Sequence, residues 1–363
     1  MIVRPNNNSA GGAGKAGKRR GNKQVVFSSL VKQASSEDLF YRPKLLGEII
    51  GREREKKVLN MMIDSVKKQW KAGKSVALDH ILLYGPPGVG KTTMALAIAN
   101  ELGVKIVITS GRALERAVDL VSILTNLNEG DILFIDEIHR LKPHLEEVLY
   151  PAMEDYALDI VTGTAQKSRS IRLSLKPFTL IGATTRVGML SSPFRDRFGV
   201  SFYLDLLDPP QLVEILENVV QRDPNIQAAD HAALEEIARR SRGTARVAVK
   251  FYKRIRDYAI AGGKSFVSLE MVKEVFKMLG VDSLGLDVID RKLLKAIITE
   301  FGGGPVGLKA LAGYLGEDAS TIEEVYEPYL LKIGFIAKTP RGRVATASAY
   351  KHLNIEPPNP TLI

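Results

Sequence analysis

Across residues 41–207 short apolar runs alternate with longer amphipathic stretches. Residues 81–84, 104–109, 132–136 and 178–184 read as strands, and apolar residues at helical spacing join the first three. Strands that alternate with helices must run parallel, so the pattern predicts an α/β unit whose sheet is covered on both faces. One stretch departs from it. Residues 158–161 and 171–175 alternate with period two around a polar tip, 163–170, which predicts a β-hairpin protruding from the body. From the pattern alone, Ile160, Val161 and Ile171 could be exposed or plain sheet core.

Asp208-Pro209-Pro210 ends this pattern, and as far as Gly280 almost everything has helical period, with Leu212, Ile215 and Leu216, then Leu234, Ile237 and Ala238, on the apolar faces. A second break at 282–285 opens a third unit: helices over 288–301, 308–315 and 320–331, then two short strands around Pro340-Arg341-Gly342. Ser320-Thr321-Ile322-Glu323 fits a capping box and so predicts where the third helix starts. Three helices and a hairpin match a winged helix-turn-helix. The expected organisation is a tail over 1–36, a large α/β domain over 37–208, a small all-helical domain over 209–281 and a winged-helix domain over 284–363.

Composition changes this picture in three ways. No apolar run approaches the roughly 20 residues that span a bilayer, and the first residues lack a signal peptide's apolar core, so a cytoplasmic protein is expected. The chain has no cysteine, which excludes disulfides, thiolate catalysis and zinc-thiolate sites. Its net charge is +10, yet Arg4, Lys15, Lys18, Arg19, Arg20, Lys23 and Lys32 all precede the first acid, Glu37. Seven of the ten excess charges therefore sit in the tail, whose Asn- and Gly-rich sequence has too little apolar content to pack; it is expected to be disordered. Such a tail can attract DNA in a salt-sensitive way or serve only as a solubilising extension.

The chemistry starts at Gly85-Pro86-Pro87-Gly88-Val89-Gly90-Lys91-Thr92, a P-loop between an apolar strand and a helix beginning near Thr93. Its glycines let backbone N–H groups converge on phosphate oxygens, and the helix N-terminus adds a favourable dipole. Lys91 should reach the β- and γ-phosphates of ATP, and Thr92 should offer its hydroxyl to Mg²⁺. Further on, Ile132-Leu133-Phe134-Ile135 runs into Asp136-Glu137. A strand ending in two acids places carboxylates at the sheet edge where nucleotides bind. Asp136 fits the Mg²⁺-linked acid, and Glu137 fits the base that polarises the attacking water. In the third unit, Lys338, Arg341 and Arg343 surround a tight turn suited to phosphate contacts, though winged helices also serve as protein-docking modules.

Several segments go beyond a generic P-loop protein. Residues 133–141 (Leu-Phe-Ile-Asp-Glu-Ile-His-Arg-Leu), 147–156, 181–186, 192–199, 303–308 and 339–343 together resemble the RuvB family, AAA+ ring ATPases that drive branch migration of Holliday junctions; the resemblance covers about 41–358. It implies that Tyr41 and Arg42 line the adenine side of the pocket and that Glu154, Asp155 and Tyr156 lie near the nucleotide. Thr185 is then the sensor of the γ-phosphate, Arg197 the arginine finger and Arg246 the second sensor, on the helical lid. Leu207 occupies a nucleotide-side position where the family often has tyrosine, and Ala245 replaces a usual proline. A finger arginine adds on the order of 10³ to 10⁵ in rate, and one that acts on a neighbour's ATP implies a ring, here a homohexamer. The resemblance also implies double-stranded DNA and Holliday junctions as substrate, RuvA as a partner through the hairpin at 158–175, and RuvC as a further partner in the resolvasome. Two other readings have less support: a clamp-loader-like assembly factor, which would carry a helical collar in place of the winged helix, and a non-catalytic regulator, which would not need Lys91, Asp136, Glu137 and Arg197 together.

Overall fold

The computed structural model of the protein describes residues 26–27, 41–162 and 169–357. In chain order the α/β unit holds β1 (Val26–Phe27), α1 (Glu53–Lys71), β2 (Ile81–Tyr84), α2 (Lys91–Leu102), β3 (Ile106–Ser110), α3 (Ala117–Thr125), β4 (Ile132–Asp136), α4 (Pro143–Glu154), β5 (Ala157–Thr162), β6 (Arg169–Ser174), β7 (Thr179–Thr184), α5 (Ser192–Arg195) and β8 (Val200–Tyr203). Six strands form one parallel sheet in the order β1-β3-β4-β7-β2-β8.

Side-chain alternation builds the layers on its two faces. Ile81 and Leu83 of β2, with Ile132 and Phe134 of β4, face a core that includes α1 and α2, whereas Leu82, Leu133 and Ile135 face the α3–α4 side. Period two along a strand and burial on both faces make these strands continuous apolar runs. The unread strand is β8, at the sheet edge: of its four residues only Phe202 is buried, so its apolar signal is weak. Within the tail expected to be disordered, Val26–Phe27 instead pair with β3; its other residues lie outside the described set, as does 163–168 of the hairpin tip.

The all-helical unit holds α6 (Pro209–Arg222), a residue pair β9 (Ala228–Ala229), α7 (His231–Arg240), α8 (Ala245–Ala261), β10 (Phe266–Val267) and α9 (Leu269–Met278). Its core also takes in Tyr41 and Leu207 from the α/β unit, so the two units share a seam. The winged-helix unit follows: α10 (Val288–Lys295), α11 (Leu308–Leu315), α12 (Ala319–Thr321), α13 (Glu327–Lys332), β11 (Ile336–Thr339), β12 (Gly342–Ala345) and α14 (Ala347–His352). The expected first helix, 288–301, turns π-helical over Ala296–Glu300. The expected capping box is corrected. Asp318 takes the N-cap position, α12 opens at Ala319, and Ser320 lies inside the helix. Asp318 makes no side-chain bond to the helix; a π-turn over Ile322–Tyr326, anchored by fully buried Ile322, joins α12 to α13 and sets the register. Among the described residues no helix is long and apolar enough to cross a membrane.

Candidate nucleotide-hydrolysing site

Strand order assembles the site. Because β7 lies between β4 and β2, the loops leaving all three emerge side by side at one sheet edge. The Gly85 N–H donates to the Thr184 carbonyl (3.2 Å), stitching the start of the P-loop to the end of β7. A Cβ at Gly85 would lie 2.1 Å from the Leu204 carbonyl oxygen, so no other residue lets the chain turn there.

Lys91 opens α2 with its side chain turned back into the loop, donating to the Gly85 and Pro86 carbonyls at 2.8 Å each. Burial pulls its ammonium pKa down to about 8, Arg246 lowers it further, and Asp136 and Glu137 oppose the shift. At the end of β4, Asp136 accepts the Glu137 N–H (3.0 Å), and burial pushes its carboxyl above the usual range despite nearby Lys91. A desolvated carboxylate near the P-loop lysine suits Mg²⁺, which is usually held by one or two protein groups plus phosphates. An all-protein cage is not the arrangement here: the described residues contain no cluster of three or more metal-ligating side chains.

Glu137 follows in a left-handed backbone conformation (φ 47°), a costly one for a non-glycine residue that aims its side chain away from the strand. Its carboxylate pairs with Arg140 Nε at 2.9 Å and lies 3.8 Å from Arg112 Nε. Thr185 stands exposed just past β7. Beneath it the Thr184 hydroxyl meets His139 Nδ1 (2.9 Å) and accepts the Arg186 N–H (2.9 Å).

The helical unit roofs the loop. Gly88 has φ +81°, and a Cβ there would come within 3.3 Å of Arg246 Cβ and 3.4 Å of Thr244 Cβ, so the first turn of α8 sits directly on the P-loop. Leu207 reaches the same segment, its N–H donating to Gly243 O (2.8 Å). Tyr41, expected on the adenine side of the pocket, reaches from the α/β unit into the lid core. Its hydroxyl is buried in the lid, donating to Asp223 Oδ2 (2.7 Å) and accepting from Arg256 Nη1 (3.0 Å), and burial together with Asp223 pushes its pKa up to about 12. Neighbouring Arg42 lends its carbonyl to Arg222 Nη1 (3.4 Å).

A second group gathers around α4. Arg197 pairs with Glu154 (3.1 Å), lies over the Tyr150 ring (4.2 Å from its centroid) and donates to Pro193 O (2.7 Å). Asp155 pairs with Arg172 of the hairpin at 2.5 Å. Tyr156 packs edge-on against His80 and Phe178. Glu154, Asp155, Tyr150 and Arg172 line an open cleft of about 650 Å³. The finger candidate thus shares its surroundings with the carboxylates of 154–155, while Lys91, Asp136, Glu137 and Arg246 form the other group. On the hairpin, Leu158 is buried whereas Ile171 and Leu173 are exposed; the side chains of Ile160 and Val161 lie outside the described set.

The wing cations are not equivalent. Lys338 and Arg343 are register partners across β11–β12, and both bind Glu327, whose side chain is almost fully buried. Arg341 alone of the three is exposed at the tip without an ion pair among the described residues. Residues missed from sequence include Arg112 and Arg140, which hold Glu137, and Arg186, Glu323 and Glu324, which join the winged helix to the site. Arg140 had a local signal, since it follows Glu137 by three residues in a helical turn.

A P-loop on a parallel sheet, closed over by a small helical domain, defines the AAA+ class of P-loop ATPases, here with a winged-helix head attached. Residues 41–204 match the Holliday junction DNA helicase RuvB P-loop domain, 212–282 the RuvB AAA lid domain and 283–354 the RuvB C-terminal winged helix domain. The solved Thermotoga maritima RuvB Holliday junction branch migration motor is 47% identical with a TM-score of 0.78, over 88% of this chain and all (100%) of that one. A point mutant of the same Thermotoga maritima protein gives 47% identity and a TM-score of 0.79 over the same shares, 88% and 100%. The chain belongs to the RuvB family.

Proposed function

We propose that this chain is the motor subunit that splits ATP to drive branch migration of Holliday junctions in recombination and repair, working as a homohexamer. One observation carries the reading. A single segment, Arg242-Gly243-Thr244-Ala245-Arg246, sits on the P-loop at one end and grips the winged-helix head at the other. A change in how the lid meets the phosphates is thereby a change in where the head points.

At the start of the cycle Lys91 exchanges two loop carbonyls for phosphate oxygens, an exchange favoured because its ammonium is desolvated where it lies. Loop amides from Gly88, Val89, Gly90, Thr92 and Thr93 cradle the phosphates. Thr92 and Asp136 would hold Mg²⁺, which supplies charge neutralisation between the phosphates. Glu137 orients the attacking water, and Thr185 contacts the γ-phosphate from the adjacent loop. Arg246 adds its charge from the lid. Arg197, braced by Glu154 and Tyr150, serves the site of a neighbouring subunit, where its fixed charge stabilises the transition state. Glu154, Asp155 and Tyr156 then act at the subunit boundary, and Leu207, Tyr41 and Arg42 position the lid at the base side of the nucleotide.

The head contacts DNA through its wing, with Arg341 as the main phosphate contact and Lys338 beside it; Arg343 braces the wing from within. This suits a motor that must track any sequence. The hairpin offers Ile171 and Leu173 as an apolar face for RuvA, and RuvC joins the same assembly in a cytoplasmic resolvasome. The test is ATP turnover and four-way-junction strand exchange, with and without RuvA. Lys91→Ala abolishes turnover, and Arg197→Ala folds and binds ATP but hydrolyses it on the order of 10³-fold more slowly. Rapid hydrolysis by the Arg197 variant would remove the finger assignment.

A further inference from the structure

The head reaches the hydrolytic site directly as well as through the lid. Two adjacent acids in the π-turn of the head face two arginines of the α/β unit. Arg186 Nη2 lies 2.9 Å from Glu323 and 3.3 Å from Glu324, and Arg140 Nη2 lies 3.2 Å from Glu324. Both arginines belong to catalytic loops: Arg186 follows Thr185, and Arg140 ends the turn that starts at Glu137. One guanidinium is therefore shared between Glu324 of the head and the Glu137 carboxylate, 2.9 Å from Arg140 Nε.

The sharing is unequal. Arg140 donates to both oxygens of Glu324, at 3.2 and 3.4 Å, whereas its buried Nε makes no properly aligned hydrogen bond although Glu137 is within reach. A guanidinium left alone with one carboxylate closes on it in a two-pronged pair, the strongest geometry open to it. Such a pair would turn the Glu137 oxygens from the water they must orient.

We propose that Glu324, steadied by the Glu323–Arg186 pair beside it, is a positioning residue for hydrolysis: it keeps Arg140 from closing on Glu137 in a two-pronged pair and so leaves that carboxylate available while the head is docked. This rests on the reading of Glu137 as the base. A head that swings away on DNA releases Arg140 onto Glu137 and slows the site, so hydrolysis is gated by head position within one subunit.

The experiment uses the full-length protein with RuvA and a four-way junction. Glu324→Gln is expected to lower kcat about three- to tenfold, within the lower part of the range of coupling between contacting groups, with KM for ATP unchanged. In an Arg140→Ala background the same substitution should have no further effect, because nothing remains to close on Glu137. A fall that persists without Arg140, or an unchanged kcat in the single variant, overturns the proposal. Should Arg140→Ala itself be inactive, Arg140→Lys, which cannot close on a carboxylate in a two-pronged pair, takes its place, and a fall in kcat that persists in that background is equally fatal. Glu137→Gln separates the underlying reading, since sustained turnover by that variant removes the base assignment, whereas an inactive Glu137→Gln beside a normal Glu324→Gln removes only the positioning role.

Discussion

The head meets the rest of the molecule at two seams built from the same kinds of side chain yet physically unlike. Toward the lid, Arg242 donates through Nε to the Gly285 carbonyl (2.8 Å), pairs with Asp290, whose side chain is fully buried, and lies over the Tyr329 ring. Arg291 adds a bond to the Gly280 carbonyl, and His352 reaches Asp282. Toward the α/β unit the ion pairs among the described residues are those of Arg140 and Arg186 with Glu323 and Glu324, with side chains between 25% and 39% exposed. Exposed pairs are worth about 0–1 kcal/mol each and weaken in salt. A buried charge left without its partner costs several times that. The lid seam is a fixed joint, then, and the other is one the molecule can open.

The sharpest way to break this contrast is Arg242→Ala. Its removal leaves Asp290 buried without a cation, an expected loss of about 3–5 kcal/mol. Thermal unfolding should report it, together with new protease cleavage near 282–287 where the head joins. Turnover of ATP survives while strand exchange is lost, because the segment that couples lid to head has been cut. A variant with unchanged melting and full strand exchange would show that both seams are equally soft.

What was legible in the sequence follows the same division. The P-loop and Asp136-Glu137 could be read because phosphate chemistry needs those residues contiguous in the chain, at the ends of strands whose apolar runs are their own signal. The wing was legible for similar reasons, being a local hairpin. Neither seam was. Arg140 and Glu324 are separated by 184 positions, and no periodicity reports a meeting at that range. Glu323 was read only as the acid of a capping box, and Glu324 beside it carries no local signal, since acids on a helix are most often solvated. Arg343 was read as a tip cation alongside Arg341, although strand alternation sets it opposite Lys338, both turned toward Glu327. The misread helix start at Ser320 has a related cause, since burial of Ile322 sets the register that the capping pattern alone could not.

Glu327 gives a third case by which to judge burial against the mere presence of an ion pair. Its side chain is 1% exposed and it holds both Arg343 and Lys338. Arg343→Ala should destabilise the head by about 2 kcal/mol, as expected for losing bonds to a buried charged acceptor. Arg341→Ala should leave melting within about 0.5 kcal/mol of the parent. The same Arg341 change weakens DNA binding about equally for all sequences and lowers the salt slope by about 1. Reversed outcomes, a stable Arg343 variant and an unstable Arg341 variant, would contradict the division of the wing into brace and contact.

The last expected effect separates the seams by the variable that moves them. Burial pushes the Asp290 carboxyl up from 3.8 to about 6, against the pull of Arg242. The folded protein therefore binds a proton near pH 6 that the unfolded chain takes up only near 3.8. Wherever the folded state holds more protons, stability rises as pH falls. Relative to Asp290→Asn, which cannot titrate, the parent should gain stability between about pH 7 and 4, most steeply near pH 5, midway between the folded and unfolded values. Added salt should leave that difference in place, because the group is out of reach of mobile ions, while it weakens the Arg186–Glu323 pair. A gap that closes with salt, or that runs the other way with pH, would mean that Arg242 outweighs burial at Asp290 and that the lid seam is held by the same screened attraction as its counterpart.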